Sequence, residues 1–138
     1  MDAKKFVFAA IAYIIVTFAV AASWHLVFFK DLYDQLAIFT RKEPLIPLGV
    51  VSIVLQALIL AYLYPALYKG GSPAKEGLKF GLLIGALMAS IAVFAEAGKQ
   101  NVSSLSTWLV FETAYYLLQF GVLGVIIGLI YGKSIRQT

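Results

Sequence analysis

The chain has 138 residues, of which 62% are hydrophobic and only 13% charged, and its mean hydropathy is +0.89. A soluble domain of this length buries only about two-thirds of its surface, and average domains carry about 25% charged residues. The composition excludes an ordinary soluble enzyme, a disordered tail and a nucleic-acid-binding module, and it points to an integral membrane protein. The net charge of +4 comes from 11 basic and 7 acidic residues. The basic residues sit at the ends of apolar runs, so the charge reads as a signal of orientation. There are no cysteines. Disulfides, cysteine-bound zinc, iron–sulfur clusters and thiol catalysis are excluded on that ground.

Four apolar runs are long enough to cross a hydrocarbon core of about 30 Å, which takes about 20 helical residues. They cover residues 6–29, 45–67, 77–97 and 105–132. Backbone groups in lipid must be satisfied within their own segment, so each run is expected to be a helix. The fold class that follows is an all-α membrane protein: one antiparallel bundle of four transmembrane helices. The first run follows Lys4 and Lys5, and Ala19-Val20-Ala21 has the small-x-small form of a cleavage site. The run is too long for a signal peptide's apolar region, so it is expected to remain a span.

The link at 30–44 is the longest. It sets Leu32, Leu36 and Phe39 at helical spacing among Asp31, Asp34, Arg41 and Lys42. That pattern predicts a short amphipathic helix in the membrane interface. Residues 68–75 contain Gly70, Gly71, Ser72 and Pro73, a turn composition. Residues 98–104 form a tight polar link.

With four spans, both termini and the middle link share one side. That side holds Lys4, Lys5, Lys69, Lys75, Lys79, Lys133 and Arg136, against Lys30, Arg41, Lys42 and Lys99 on the other. The excess predicts cytoplasmic termini in the cell (inner) membrane.

The third run carries Gly77, Gly81, Gly85 and Ala89 at four-residue spacing, and the fourth carries Gly124, Gly128 and Gly132. Small residues at this spacing let helices approach closely. Both ladders lie in the cytoplasmic half, so the outer halves are expected to splay and leave an outward-facing cavity. At 100° per residue, Glu112 lies about 120–200° from the glycines of its own run. If Glu112 faces the interior, Gly124, Gly128 and Gly132 face another span or another copy of the chain. A homo-oligomer is expected on that ground.

An ionisable group inside a span costs several kcal/mol, which makes Glu112 the leading site residue. Trp108, Tyr115 and Gln119 share its helical stripe. His25, the only histidine, follows Trp24 near the outer end of the first span, and Glu96 lies near the outer end of the third. Antiparallel alternation brings His25, Glu96 and Glu112 to the outer half. Gln56 shares one face of the second span with Gly49 and Ser52, near mid-membrane. No nucleophile–histidine–acid arrangement, phosphate loop or nucleotide fingerprint occurs, so no cofactor and no nucleic-acid partner are expected.

Ala22-Ser23-Trp24, the glycine-rich opening of the third span, Tyr115-Tyr116-Leu117 and Gly124-Val125-Ile126-Ile127-Gly128 carry a resemblance over the whole chain. It is to bacterial four-helix integral membrane proteins of unknown function. The chain also looks superficially like small multidrug exporters, but those use a glutamate in the first helix, and the first span here has none. The expected function is binding or translocation of a small lipophilic or cationic molecule. Glu112 is its acidic site, His25 and Glu96 stand at the mouth, and Trp24, Trp108 and Tyr115 supply apolar and cation–π contact. A membrane-embedded acid/base enzyme acting on a lipid-soluble substrate, isomerase-like, is the first alternative. A structural subunit of a larger membrane complex is the second.

Overall fold

A computed structural model describes residues 2–38, 41, 43 and 45–132. Helix is the only regular structure among them. In chain order the elements are α1 (Ala3–Ala22), α2 (Lys30–Leu36), α3 (Ile46–Leu67), α4 (Pro73–Ala89) and α5 (Leu105–Tyr131). Two six-residue π-helical segments prolong α1 and α4, at Ser23–Phe28 and Ser90–Ala95. Counting these extensions, four helices are long and apolar enough to span a membrane, and the chain is a membrane-embedded bundle. Phe39, Lys42, Lys133 and Arg136, which entered the sequence reading, lie outside the described residues.

The helix ends follow local chemistry. Asp2 starts α1 three residues before the apolar run, because its Oδ1 accepts from the Lys4 and Lys5 backbone N–H groups at 3.0 and 3.3 Å. Proline at the first turn starts α4 at residue 73, four residues ahead of the expected 77. Pro65 lies two residues from the end of α3. Gly70 and Gly71 then turn the chain with φ of 103° and 114°, values open to glycine at little cost.

The glycine ladders decide how α4 and α5 meet. A Cβ added at Gly77 would strike the Gly124 carbonyl, one at Gly81 the Phe120 carbonyl, and one at Gly128 the Pro73 carbonyl. The two backbones therefore touch directly. This is the close approach that substitutes for a hydrophobic drive in lipid. The ladder of α5 is consequently filled by α4 of the same chain. Gly124 and Gly128 are not open to a second copy, which corrects the expected route to an oligomer; Gly132 has open space around it.

Two cores result, one at each end of the bundle. The end that carries the α3–α4 turn, here the turn end, packs Ala9, Ala10, Tyr13, Ala57, Ala61, Tyr64, Phe120, Ile127 and Tyr131 together. The opposite end, here the linker end, packs Tyr33, Leu36, Ala89, Val93 and Trp108. Helix α3 joins only the first core. Its buried residues are Ala57, Leu60, Ala61 and Tyr64, and all of residues 46–52 are exposed. The linker half of α3 thus stands off the bundle, whereas α4 and α5, which carry the glycine ladders, stay packed at the linker end through Ala89, Val93 and Trp108. A groove of about 400 Å³ opens between α1 and α3, lined by Ile14, Ile15, Phe18, Ala19, Val50, Ile53 and Val54.

Helix α2 is shorter than the sequence pattern suggests. It ends at Leu36 because Ala37 takes a left-handed conformation at φ 55°. It folds over the linker end and buries Tyr33 and Leu36 there. The loop before α5 holds its end: Ser103 donates from Oγ to the Gln35 carbonyl at 2.7 Å and from its backbone N–H to the Leu36 carbonyl at 3.2 Å.

Candidate functional site

The site lies under α2 and begins with a change in helix pitch. At Ser23–Phe28 the hydrogen bonds of α1 lengthen to five-residue spacing, as in the Phe29 N–H to Trp24 carbonyl bond of 3.0 Å. Such wider turns leave carbonyls free and re-aim side chains. His25 uses the freedom. Its Nδ1 lies 3.1 Å from the Ala21 carbonyl and its Nε2 lies 3.2 Å from Glu112 Oε1. A carbonyl can only accept, so Nδ1 carries a proton. The bond from Nε2 then shares one further proton with Glu112.

Glu112 is 5% exposed. A second donor reaches the same oxygen: the Tyr33 hydroxyl, from α2. The Trp24 indole N–H in turn donates to the Tyr33 oxygen at 2.9 Å. Indole nitrogen is a donor only, so the direction of the chain is set: Trp24 to Tyr33 to Glu112 Oε1, with His25 arriving from the other side. Burial, and then the bond to Glu112, push the Tyr33 phenol well above its ordinary range. Among the described residues Glu112 Oε2 has no hydrogen-bond partner, which leaves one carboxylate oxygen uncommitted.

Aromatic rings wall the site. The His25 ring meets Tyr115 edge-on at 4.5 Å and Tyr33 at 4.5 Å, and Trp24 lies 5.8 Å from Tyr115. Trp108 is buried beside Tyr33, with centroids 6.5 Å apart. Its indole N–H donates to the Val93 carbonyl at 3.3 Å. That carbonyl belongs to the second π-helical segment, so both wide turns feed the same corner of the bundle. Trp24, His25, Trp108, Glu112 and Tyr115 are therefore brought together.

Three of the expected residues are elsewhere. Glu96 bonds Lys99 at 3.2 Å, and its side chain is 39% exposed. Lys99, then Gln100, hold its carboxyl below the ordinary carboxylate range. The lysine one turn along captures this acid before it can turn inward, and Glu96 leaves the candidate site. Gln56 accepts from the Tyr13 hydroxyl at 2.7 Å and donates to Ser52 Oγ at 2.9 Å, at the middle of α1 and α3. Gln119 is buried at 3% exposure, two turns along α5 from Glu112. Among the described residues no group of three histidine, cysteine or acidic side chains comes together.

Tyr33 is the residue sequence reasoning missed. The signal was present, since it follows the Leu32 of the predicted amphipathic pattern. The pattern selects an apolar face, however, and does not say which tyrosine reaches across to α5. The groove between α1 and α3 is also a separate feature from the acidic site. Its lining is apolar and does not include Glu112.

Comparison of the chain with known protein families, with curated proteins and with solved structures finds no match.

Proposed function

We propose that this membrane protein binds or translocates a small lipophilic or cationic molecule, with Glu112 as its acidic site. The observation that carries the reading is the environment of that carboxylate. It is buried near the end of a membrane helix, where a bare charge is costly. One oxygen is held by Tyr33 and His25 while the other has no hydrogen-bond partner among the described residues. Such an arrangement suits a group that exchanges a proton for a cation. The rings of Trp24, Tyr115 and Trp108 offer faces for a lipophilic cation. In this reading the protein lies in the cell membrane with both termini cytoplasmic, so that the linker end faces outward.

The test uses proteoliposomes with an imposed pH gradient and two lipophilic cations, ethidium and tetraphenylphosphonium. Uptake by the wild type should follow the gradient, and Glu112→Gln should abolish it while the protein remains folded. Equal uptake by both would sink the reading. The hydrogen-bonded imidazole, carboxylate and phenol also favour a second reading, acid/base catalysis on a lipid-soluble substrate. That reading predicts an altered lipid in cells expressing the wild type and its loss in His25→Ala. Identical lipid profiles would count against it.

A further inference from the structure

Among the described residues four buried side-chain oxygens in the membrane-spanning helices have no hydrogen-bond partner, on Thr17, Tyr64, Thr113 and Gln119, and two of these, on Thr17 and Gln119, lie at one level of α1 and α5. Gln119 is 3% exposed and its Oε1 finds no hydrogen-bond partner among the described residues. Thr17 is 4% exposed; its hydroxyl sits beside the Tyr13 phenol but makes no bond of good geometry. The two residues belong to facing helices. Lys5 Nζ meets the Tyr131 carbonyl at 2.8 Å, the Tyr13 and Phe120 rings lie 6.4 Å apart, and His25 meets Glu112. This antiparallel register of α1 and α5 sets Thr17 across from the turn of α5 that contains Gln119.

A buried polar atom without a partner is costly, and most so where the surroundings are lipid. Thr17 offers a donor and an acceptor, and Gln119 Oε1 offers an acceptor. A water molecule supplies the complementary groups for both and needs two to four such partners. We infer that Thr17 and Gln119 hold an internal water site between α1 and α5, and that this site carries the polar chain of Tyr13, Gln56 and Ser52 across to α5.

On one side is Glu112, seven residues from Gln119 and so about 10 Å away along the helix axis. The Tyr115 side chain fills part of that interval. On the other side is Tyr13, one helical turn from Thr17, whose hydroxyl donates to Gln56, which donates to Ser52. With water between Thr17 and Gln119, the Tyr13–Gln56–Ser52 chain at the middle of α3 is extended to α5, about 10 Å short of the buried carboxylate. The inference stands whether or not Glu112 binds a transported molecule, because it rests on Thr17 and Gln119.

Radiolytic hydroxyl-radical labelling of the full-length protein in nanodiscs tests it, since radicals born from a held water label the side chains beside it. Tyr13 and Tyr116 should be labelled several-fold faster than the lipid-facing Phe8 and Phe94. The double variant Thr17→Val, Gln119→Leu should bring Tyr13 and Tyr116 down to that lipid-facing rate. Tyr64 labelling and the melting temperature report whether the variant is folded. If it does not fold, the single variant Gln119→Leu is read in the same way. Equal labelling of Tyr13, Tyr116, Phe8 and Phe94 in the wild type would overturn the inference. So would unchanged labelling of Tyr13 and Tyr116 in a folded variant.

Discussion

Tyr33 donates its phenol proton to Glu112, a residue 79 positions further along the chain. The bond ties the short helix after the first span to the linker end of the last one. It also makes the phenol a link in a line, because the Trp24 indole donates to the same Tyr33 oxygen. Removing the hydroxyl breaks both bonds at once.

Tyr33→Phe keeps the ring and its packing against His25 and Trp108, so its effect isolates the hydrogen bonds. A buried donor left without its partner costs about 1–3 kcal/mol. Thermal or denaturant unfolding in mild detergent should show a loss in that range. Amide hydrogen exchange should quicken across α2 more than across α4. A loss of stability without faster exchange in α2 would mean that Tyr33 does not hold this helix down.

Alkaline pH gives a second check. The Tyr33 phenol titrates above its ordinary value of 10.0, first through burial and then through Glu112. A group whose folded value is raised adds stability in full below its unfolded value, and the contribution fades as pH climbs beyond it. The melting temperature of the wild type should therefore fall more steeply above pH 10 than that of Tyr33→Phe. Parallel curves would show that the phenol is not buried against the carboxylate.

The two kinds of glycine should respond in opposite ways. Gly124→Leu drives a side chain into the Gly77 carbonyl and the Gly81 backbone. Overpacking of this sort costs about 1–3 kcal/mol and sometimes more, and here backbone, not a flexible side chain, must yield. A Cβ at Gly49 meets nothing within 4 Å, and the surrounding stretch is exposed, so Gly49→Leu should leave folding intact. Detergent-resistant migration and melting temperature separate the two outcomes. Equal tolerance would contradict the direct contact of α4 and α5.

Ala37 offers a gain. Its left-handed φ of 55° costs a non-glycine residue about 1–2 kcal/mol. Ala37→Gly should recover about 1 kcal/mol of stability, less what the freer unfolded chain takes back. An unchanged or lowered melting temperature would show that this turn is not strained.

Much of this architecture is legible in the sequence because lipid makes the rules simple. An apolar run of about 20 residues has one stable conformation there. The spans follow from that, and the four-residue glycine spacing marks where two of them touch. Placing His25 and Glu112 at the same end needs only antiparallel alternation. Their contact needs more, because a π-helical segment shifts the phase of α1 just before His25. Glu96 shows the opposite limit. Alternation puts it at the correct end, but Lys99, three residues on, outcompetes any distant partner. Tyr33 could not be chosen because its partner is set by how α2 folds over, which residues far along the chain decide. The fate of the α5 glycines was open for the same reason. Spacing announces a close contact without saying whether the neighbour is the next span or another molecule.

The π-helical segment at Ser23–Phe28 carries a consequence for length as well as for chemistry. Deleting one residue there removes the residue that the wide turn accommodates, so an ordinary pitch returns while the chain beyond keeps nearly its orientation on α1. The turn that aims His25 at Glu112 is lost, whereas α2 and Tyr33 stay over the bundle's end. No such penalty attaches to a deletion in the stretch from Ile46 to Ser52, which touches little of the protein. Gain or loss of a single residue is therefore a sharper probe of this molecule than most substitutions. Related chains that keep the histidine and glutamate should show strict spacing through the end of the first span and loose spacing at the start of the second.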